Sequence, residues 1–242
     1  MPAFVFSLIR DPLSRCMSAF YHFRVARKKI KYPPTAQDKI YYLKNQCSNY
    51  ITGYLKPRSG KKRWPKDGPE TVDAIMNETT PLAFIGVVEL YDESMVLLAH
   101  VLNLPLGDVL YRKAKVSGEI WESVKKHRSL VVKHEHVDKE PLEVQNFVRS
   151  PDWLGRNKND YELFRRAKER IASMYATVPG LNASLATYRK LLIDATTACD
   201  DEVDSPKTCY WEDNGCGFAC LDEFYDAAVT SGARSVAADL DG

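Results

Sequence analysis

The sequence predicts an α/β fold built on a mainly parallel sheet. Three observations carry that expectation. An apolar run, Phe4-Val5-Phe6-Ser7-Leu8-Ile9, stops abruptly at Arg10-Asp11-Pro12, and a helical pattern follows at once. A second apolar run, Pro81–Val88, is followed by another helical pattern over Asp92–Asn103. Helical segments separate the two runs, the order of a chain that returns to one sheet by a crossover.

The first turn carries the most chemical information. Asp11 suits an N-cap and Pro12 the first helical position. Drawn at about 100° per residue, Leu13, Cys16, Met17, Phe20 and Phe23 fall on one arc, which is predicted to pack on the sheet. Ser14, Arg15, Ser18, Tyr21 and His22 fall on the other side, leaving Ser18 free to offer a hydroxyl. Backbone N–H groups at a helix start and an adjacent guanidinium make a natural phosphate site. Farther on, Thr35–Leu55 is predicted helical, with Ile40, Leu43, Cys47 and Ile51 near helical spacing. Lys56–Pro69 reads as a basic loop and Pro69–Glu78 as a short helix. Val109–Val116 reads as a strand or an extended edge. Pro141–Arg149, Asp160–Val178 and Leu181–Ala195 read as helices.

With 242 residues and 45% hydrophobic content, the chain can bury one core with an appendage. No apolar run approaches ~18 residues, so no transmembrane helix is expected. No basic n-region with a long apolar h-region opens the chain, so no signal peptide is expected either. The net charge of +2 is unevenly spread. Residues 194–242 hold twelve Asp and Glu against two Lys and Arg, leaving a net +12 on residues 1–193. A basic body suits an anionic donor and an anionic glycan. Most of these lysines are nonetheless expected to be solvated helix ends and loops.

Cys199, Cys209, Cys216 and Cys220 crowd together with Gly, Asn, Asp and Pro. Such a cluster suits disulfides in an oxidising compartment. Tetrahedral zinc is the rival, but paired C-x-x-C knuckles are absent, which favours disulfides. The pairing expected is Cys199–Cys209 and Cys216–Cys220, the second closing a short loop that contains Gly217. Cys16, on the packing arc, is expected to be a buried thiol, and Cys47 has no assigned role. Acceptor sequons at Asn77 and Asn182 fit a secretory route. His127, His134 and His136 have no further ligands suggested by spacing, so no metal site is expected.

The order Arg10-Asp11-Pro12, Arg15, Ser18, Tyr21 and Phe23 after an apolar strand resembles the 3′-phosphate-binding segment of the Golgi carbohydrate sulfotransferases. These enzymes use 3′-phosphoadenosine-5′-phosphosulfate (PAPS). The resemblance extends to Gly86-x-x-Glu89-x-x-Asp92-Glu93-Ser94 and to Asn157-x-x-Asp160-x-x-Leu163-Phe164. It also takes in the Cys209–Asp222 segment, which is similar to the tail of galactose-3-O-sulfotransferase-like proteins. It implies that Arg10 and Ser18 bind the 3′-phosphate of PAPS. Arg15 either supports the loop or binds a neighbouring carboxylate. The implied fold is a P-loop-like parallel sheet flanked by helices, related also to the heparan sulfate 2-O-sulfotransferases. The implied reaction transfers a sulfuryl group to a carbohydrate hydroxyl of a glycan acceptor in the Golgi lumen. A nucleic-acid binder using the basic body ranks last, since the sequence shows no aromatic-interleaved basic face and no known motif for it.

One part of the family pattern is missing. The lysine-bearing loop that cradles the 5′-phosphosulfate is nowhere in the sequence, since Gly60-Lys61 follows no apolar strand and lacks the G-x-x-x-x-G-K-[ST] spacing. The family's usual catalytic histidine would also precede Met1, so no catalytic residue is assigned. The chain therefore reads as the C-terminal part of such an enzyme. Residues 1–196 are a sulfotransferase-like domain lacking its first strand and its 5′-phosphosulfate loop, and residues 197–242 are an acidic, cysteine-rich tail. Any membrane anchor lies in the missing N-terminal part, and the chain alone is expected to be inactive. The alternative is an inactive sulfotransferase-like module that binds nucleotide or glycan.

Overall fold

The computed structural model describes residues 4–27, 30, 33–55, 69–76, 82–112, 136–199 and 217–230. They are mostly helical, with one small sheet. Strand β1, Val5–Ile9, pairs in parallel with β2, Leu82–Val87, in a register that sets Phe6 beside Phe84 and Ile9 beside Val87. Two strands are the whole sheet among the described residues. The parallel pairing agrees with the sequence expectation, but helices and not a broad sheet make most of the structure. Of Val109–Val116, Val109 ends a 3₁₀ turn, Leu106–Val109, and Leu110–Arg112 form no strand. The chain clusters into two compact units, Met1–Glu89 with Ser117–Glu169, and Leu90–Val116 with Arg170–Gly242.

In the first unit, β1 turns directly into α1, Pro12–Phe20. Asp11 caps it as expected, accepting the Ser14 N–H at 2.8 Å. The helix then widens into a π segment, Tyr21–Ala26. A π turn advances each residue through a smaller angle than an α turn, so the apolar arc slips out of phase. Cys16, Met17 and Phe20 are buried as the periodicity requires, but Tyr21 turns inward and Phe23 is 46% exposed. The predicted positions of Tyr21 and Phe23 are therefore exchanged.

The predicted helix Thr35–Leu55 is two helices, α2, Ala36–Gln46, and α3, Tyr50–Leu55. A capping box between Thr35 and Asp38 starts α2. Asn49, at φ 42°, breaks the path before α3; asparagine is one of the few side chains that tolerates this region. Helix α4 is Pro69–Met76. Helices α6, Leu142–Val148, α7, Pro151–Arg156, and the first half of α8, Lys158–Thr177, complete the unit. Its core joins Met17, Phe20, Tyr21 and Val25 to Leu43, Val144, Val148 and Trp153. Inside it lies an ion pair between Lys39 and Glu140, to which the Tyr21 hydroxyl also donates. Burial works against the Lys39 charge, but the bonds to Glu140 and Tyr21 outweigh it and hold the ammonium above the ordinary lysine value.

In the second unit, α5, Tyr91–Leu102, ends at left-handed Asn103. It packs with α9, Leu181–Ala198, and the Tyr175 hydroxyl of α8 donates to the Glu93 carbonyl at 3.1 Å. Helix α10, Phe218–Thr230, approaches Gly107 so closely that a β-carbon there would run into the Tyr225 ring.

The cysteine expectations need correcting. Cys199, just beyond α9, is bonded to Cys220 in the first turn of α10, with Cα atoms 5.9 Å apart. Neither Cys199–Cys209 nor Cys216–Cys220 can then form. Helix α9 runs past its predicted end and brings Cys199 to the start of α10, where Ala195 and Leu221 cover the bridge. Cys16 is buried as expected but is no thiol: it is bonded to Cys47 at the end of α2. Cys209 and Cys216 lie outside the described residues.

Non-reducing peptide mapping should recover Cys16–Cys47 and Cys199–Cys220 linked peptides. Replacing both Cys16 and Cys47 by Ala should lower the urea-unfolding free energy by about 3–4 kcal/mol, the loop-closure value for a bridge of this span. A Cys16 that alkylates without reduction would reject the first bridge.

Candidate functional site

Arg10 lies between the last residue of β1 and the cap of α1, and it is half-buried. Among the described residues it has no hydrogen-bond or ion-pair partner. Ser18 lies two turns along α1, also half-buried, and its hydroxyl has no partner among the described residues. Ser18 lies seven positions after Asp11, so the two share a helix face, with Arg15 between them. Strand, turn and helix thus set Arg10 just before the α1 cap and Ser18 two turns along α1.

The helix start itself is less open than the sequence suggests. The Asp11 N–H donates to Glu89 Oε1 at 2.9 Å. Pro12 has no N–H, Ser14 N–H is used by the Asp11 cap, and Arg15 N–H bonds the Asp11 carbonyl at 2.9 Å. These contacts leave Leu13 as the first-turn amide available to an anion. Recognition here must come mainly from the Arg10 and Ser18 side chains. Glu89 has a clear part: its carboxylate ties the end of β2 to the turn that follows β1.

Arg15 takes neither of its two expected roles outright. Its guanidinium stacks on the Tyr50 ring, 3.1 Å from the centroid. Burial lowers its proton affinity, and Tyr50, Tyr42 and Asp160 oppose that. Beneath it lies the network that the Asn157-x-x-Asp160 motif builds. Asp160 is 1% exposed and accepts from Ile51 N–H, Thr52 N–H and the Thr52 hydroxyl, each at 2.8 Å. It therefore caps α3 from α8. Asn49, which precedes α3, gives its Oδ1 to the N–H groups of Asn159 and Asp160 at 3.1 and 3.3 Å. Asp160 of α8 thus caps α3, and Asn49, just before α3, caps α8. Leu163 is fully buried. Sequence reasoning found these residues as a motif, but no local signal shows that their partners stand 108 to 111 positions away.

The remaining motif acids have partners of their own in the second unit. Asp92 accepts from the Tyr111 hydroxyl at 2.8 Å and from Arg189 Nε at 3.2 Å. Glu93 accepts from Arg189 at 2.8 Å. Both acids hold α9 to the start of α5. His136 is exposed and paired with Asp138, while His127 and His134 lie outside the described residues. Among the described residues no three His, Cys, Asp or Glu side chains are grouped to hold a metal. The Asn182 amide donates to the Tyr175 carbonyl at 3.1 Å, and Asn77 lies outside the described residues. No described helix is long and apolar enough to cross a membrane. Comparison of the chain with family models, with curated proteins and with solved structures gives no match.

Burial raises the Asp160 carboxyl above the ordinary aspartate value, against the pull of Thr52, Ile51 and Arg15. A raised native pKa means that the folded chain binds this proton more tightly than the unfolded chain does. The proton-linked stability is therefore complete below the unfolded value and is lost as pH rises through the native one. The stability of the wild type relative to Asp160→Asn should fall as pH rises above the ordinary aspartate value in parallel urea titrations. A difference that grows with pH would show that the hydrogen bonds outweigh burial. At neutral pH, Asp160→Ala should cost roughly 2–4 kcal/mol, since it strands three donors in a dry site.

Proposed function

We propose that the first unit holds the 3′-phosphate of PAPS, or of its product adenosine 3′,5′-bisphosphate, through Arg10 and Ser18, in a domain of the carbohydrate-sulfotransferase kind. One observation carries this reading: an arginine and a serine, both without side-chain partners among the described residues, follow a parallel strand in the spacing of that family's 3′-phosphate segment. A guanidinium fork suits a phosphate dianion, and a hydroxyl adds a neutral donor. The parallel β1–β2 pair with helices between its strands is compatible with a P-loop-like layout. The two disulfides suit the lumen of a secretory compartment such as the Golgi, where a glycan acceptor would be met.

In the reaction proposed, a sugar hydroxyl attacks the sulfur in line, the S–O bond to the 5′-phosphate breaks, and the hydroxyl proton leaves to a base. The chain's own part in it is to anchor the nucleotide so that donor and acceptor align. Neutralising the departing 5′-phosphate needs donors aimed at that group, and the sequence holds no lysine-bearing phosphate loop to provide them. A second reading is a nucleotide-binding module without turnover, and nucleotide binding is the readout common to both.

Calorimetry with adenosine 3′,5′-bisphosphate separates these ideas from chance. Arg10→Ala should weaken binding about 10- to 100-fold and Ser18→Ala about fivefold, the ratio of a charge-assisted to a neutral hydrogen bond. Equal affinity in Arg10→Ala and wild type would remove the site. Sulfate transfer from labelled PAPS to a glycan mixture, above a no-enzyme control, would reject the module reading in favour of the enzyme.

A further inference from the structure

Four residues flank Ser18 on the surface of α1 and its π extension: Ser14 and Arg15 one turn back, Tyr21 and His22 one turn on. Two of them are committed elsewhere. Arg15 stacks on the Tyr50 ring, and Tyr21 is buried, with its hydroxyl donating to Glu140. Ser14 lies in the first turn, where its N–H is tied to the Asp11 carboxylate. His22 is exposed, and of the four it alone is both at the surface and able to gain or lose a proton near neutral pH.

The π segment improves the alignment of His22 with Ser18. Four residues along an α-helix overshoot a full turn by about 40°. Tyr21 and His22 belong to the π segment, Tyr21–Ala26, where each residue advances less, so part of that overshoot is removed. Helical side chains also lean toward the helix N-terminus, so a residue four positions on covers the surface over Ser18. The phase shift that carries Tyr21 into the core thus sets His22 one turn above Ser18, whose hydroxyl has no partner among the described residues. An edge-on contact with Phe23, ring centroids 4.7 Å apart at 90°, restrains the imidazole. His22 is not among the residues that carry the resemblance to the sulfotransferases.

We propose that His22 is a third ligand of the 3′-phosphate, its imidazole donating an N–H to a phosphate oxygen beside the Ser18 hydroxyl and the Arg10 guanidinium. This role rests on the nucleotide reading of that site. A phosphate monoester presents three strong acceptor oxygens. A guanidinium fork, a hydroxyl and a ring N–H are donors of three different shapes that can share them. Asp11 lies on the same helix face, but its carboxylate is engaged by the Ser14 N–H and does not compete for the imidazole.

The test titrates the full chain by calorimetry with adenosine 3′,5′-bisphosphate and with adenosine 5′-monophosphate, which lacks the 3′-phosphate. His22→Ala, at an exposed position, should keep the wild-type melting temperature and bind the bisphosphate about fivefold more weakly, the effect of one neutral hydrogen bond. Its affinity for the monophosphate should equal that of the wild type. In the wild type, imidazole proton–nitrogen correlation spectra should show the His22 ring moving as the bisphosphate saturates, a readout that does not depend on the variant folding. Two results would overturn His22 as a ligand and leave the Arg10–Ser18 site standing. One is a His22 ring unmoved at saturation. The other is unchanged bisphosphate affinity in His22→Ala where Arg10→Ala weakens it. Equal losses for both nucleotides in His22→Ala would set the ring on the 5′-phosphate and also overturn the proposal. No bisphosphate binding by the wild type would overturn this role together with the nucleotide site beneath it.

Discussion

An ionised carboxylate removed from water must be met by donors, or it takes up a proton. Asp160 is in that position, and what meets it is the start of α3. Two short-range needs are answered by one long-range contact: α3 lacks a cap of its own, and α8 carries a buried acid. Asn49 returns the service to α8. The pairing sets α3 against α8, and with α3 it sets Tyr50, on whose ring Arg15 lies. Arg15 in turn opposes the rise in the Asp160 pKa, so charge, cap and stack support one another.

The candidate anion site inherits its rigidity from this arrangement and from the Cys16–Cys47 bridge. The bridge joins α1 to the end of α2, just ahead of Asn49. Glu89 holds the turn before α1 from the other side. Among the described residues, the side chains of Arg10 and Ser18 have no partner once these contacts are made. Arg15, by contrast, is spent on Tyr50. Arg10, before the α1 cap, and Arg15, within α1, thus stand in different surroundings.

What could be read from the sequence was what neighbours in the chain decide. Asp11 and Pro12 announce the start of α1, and the burial of Cys16, Met17 and Phe20 follows from helical spacing. Phe23 did not follow, because a π turn changes the phase and nothing local in Tyr21–Ala26 signals one. The break between α2 and α3 depends on Asn49 adopting a left-handed conformation that pays off only through Asn159 and Asp160. The partner of Cys199 was missed for a similar reason: spacing favours close cysteines, whereas the lengths of α9 and α10 decide which ones meet. The parallel pairing of β1 and β2 was legible in the order of strand and helix, but the small extent of the sheet among the described residues was not, since Val109 is drawn into a 3₁₀ turn. Of the site, Arg10 and Ser18 were named from sequence alone. The carboxylate that occupies the Asp11 amide came from Glu89, 78 residues away.

The most direct test of the anion site is an amide and guanidinium NMR titration of the full chain with adenosine 3′,5′-bisphosphate. The largest shifts should fall on the Arg10 side-chain Nε–H, the Leu13 amide and the amides around Ser18, and they should saturate together. Saturating shifts confined to other parts of the chain, with Arg10 and Ser18 unmoved, would contradict the account.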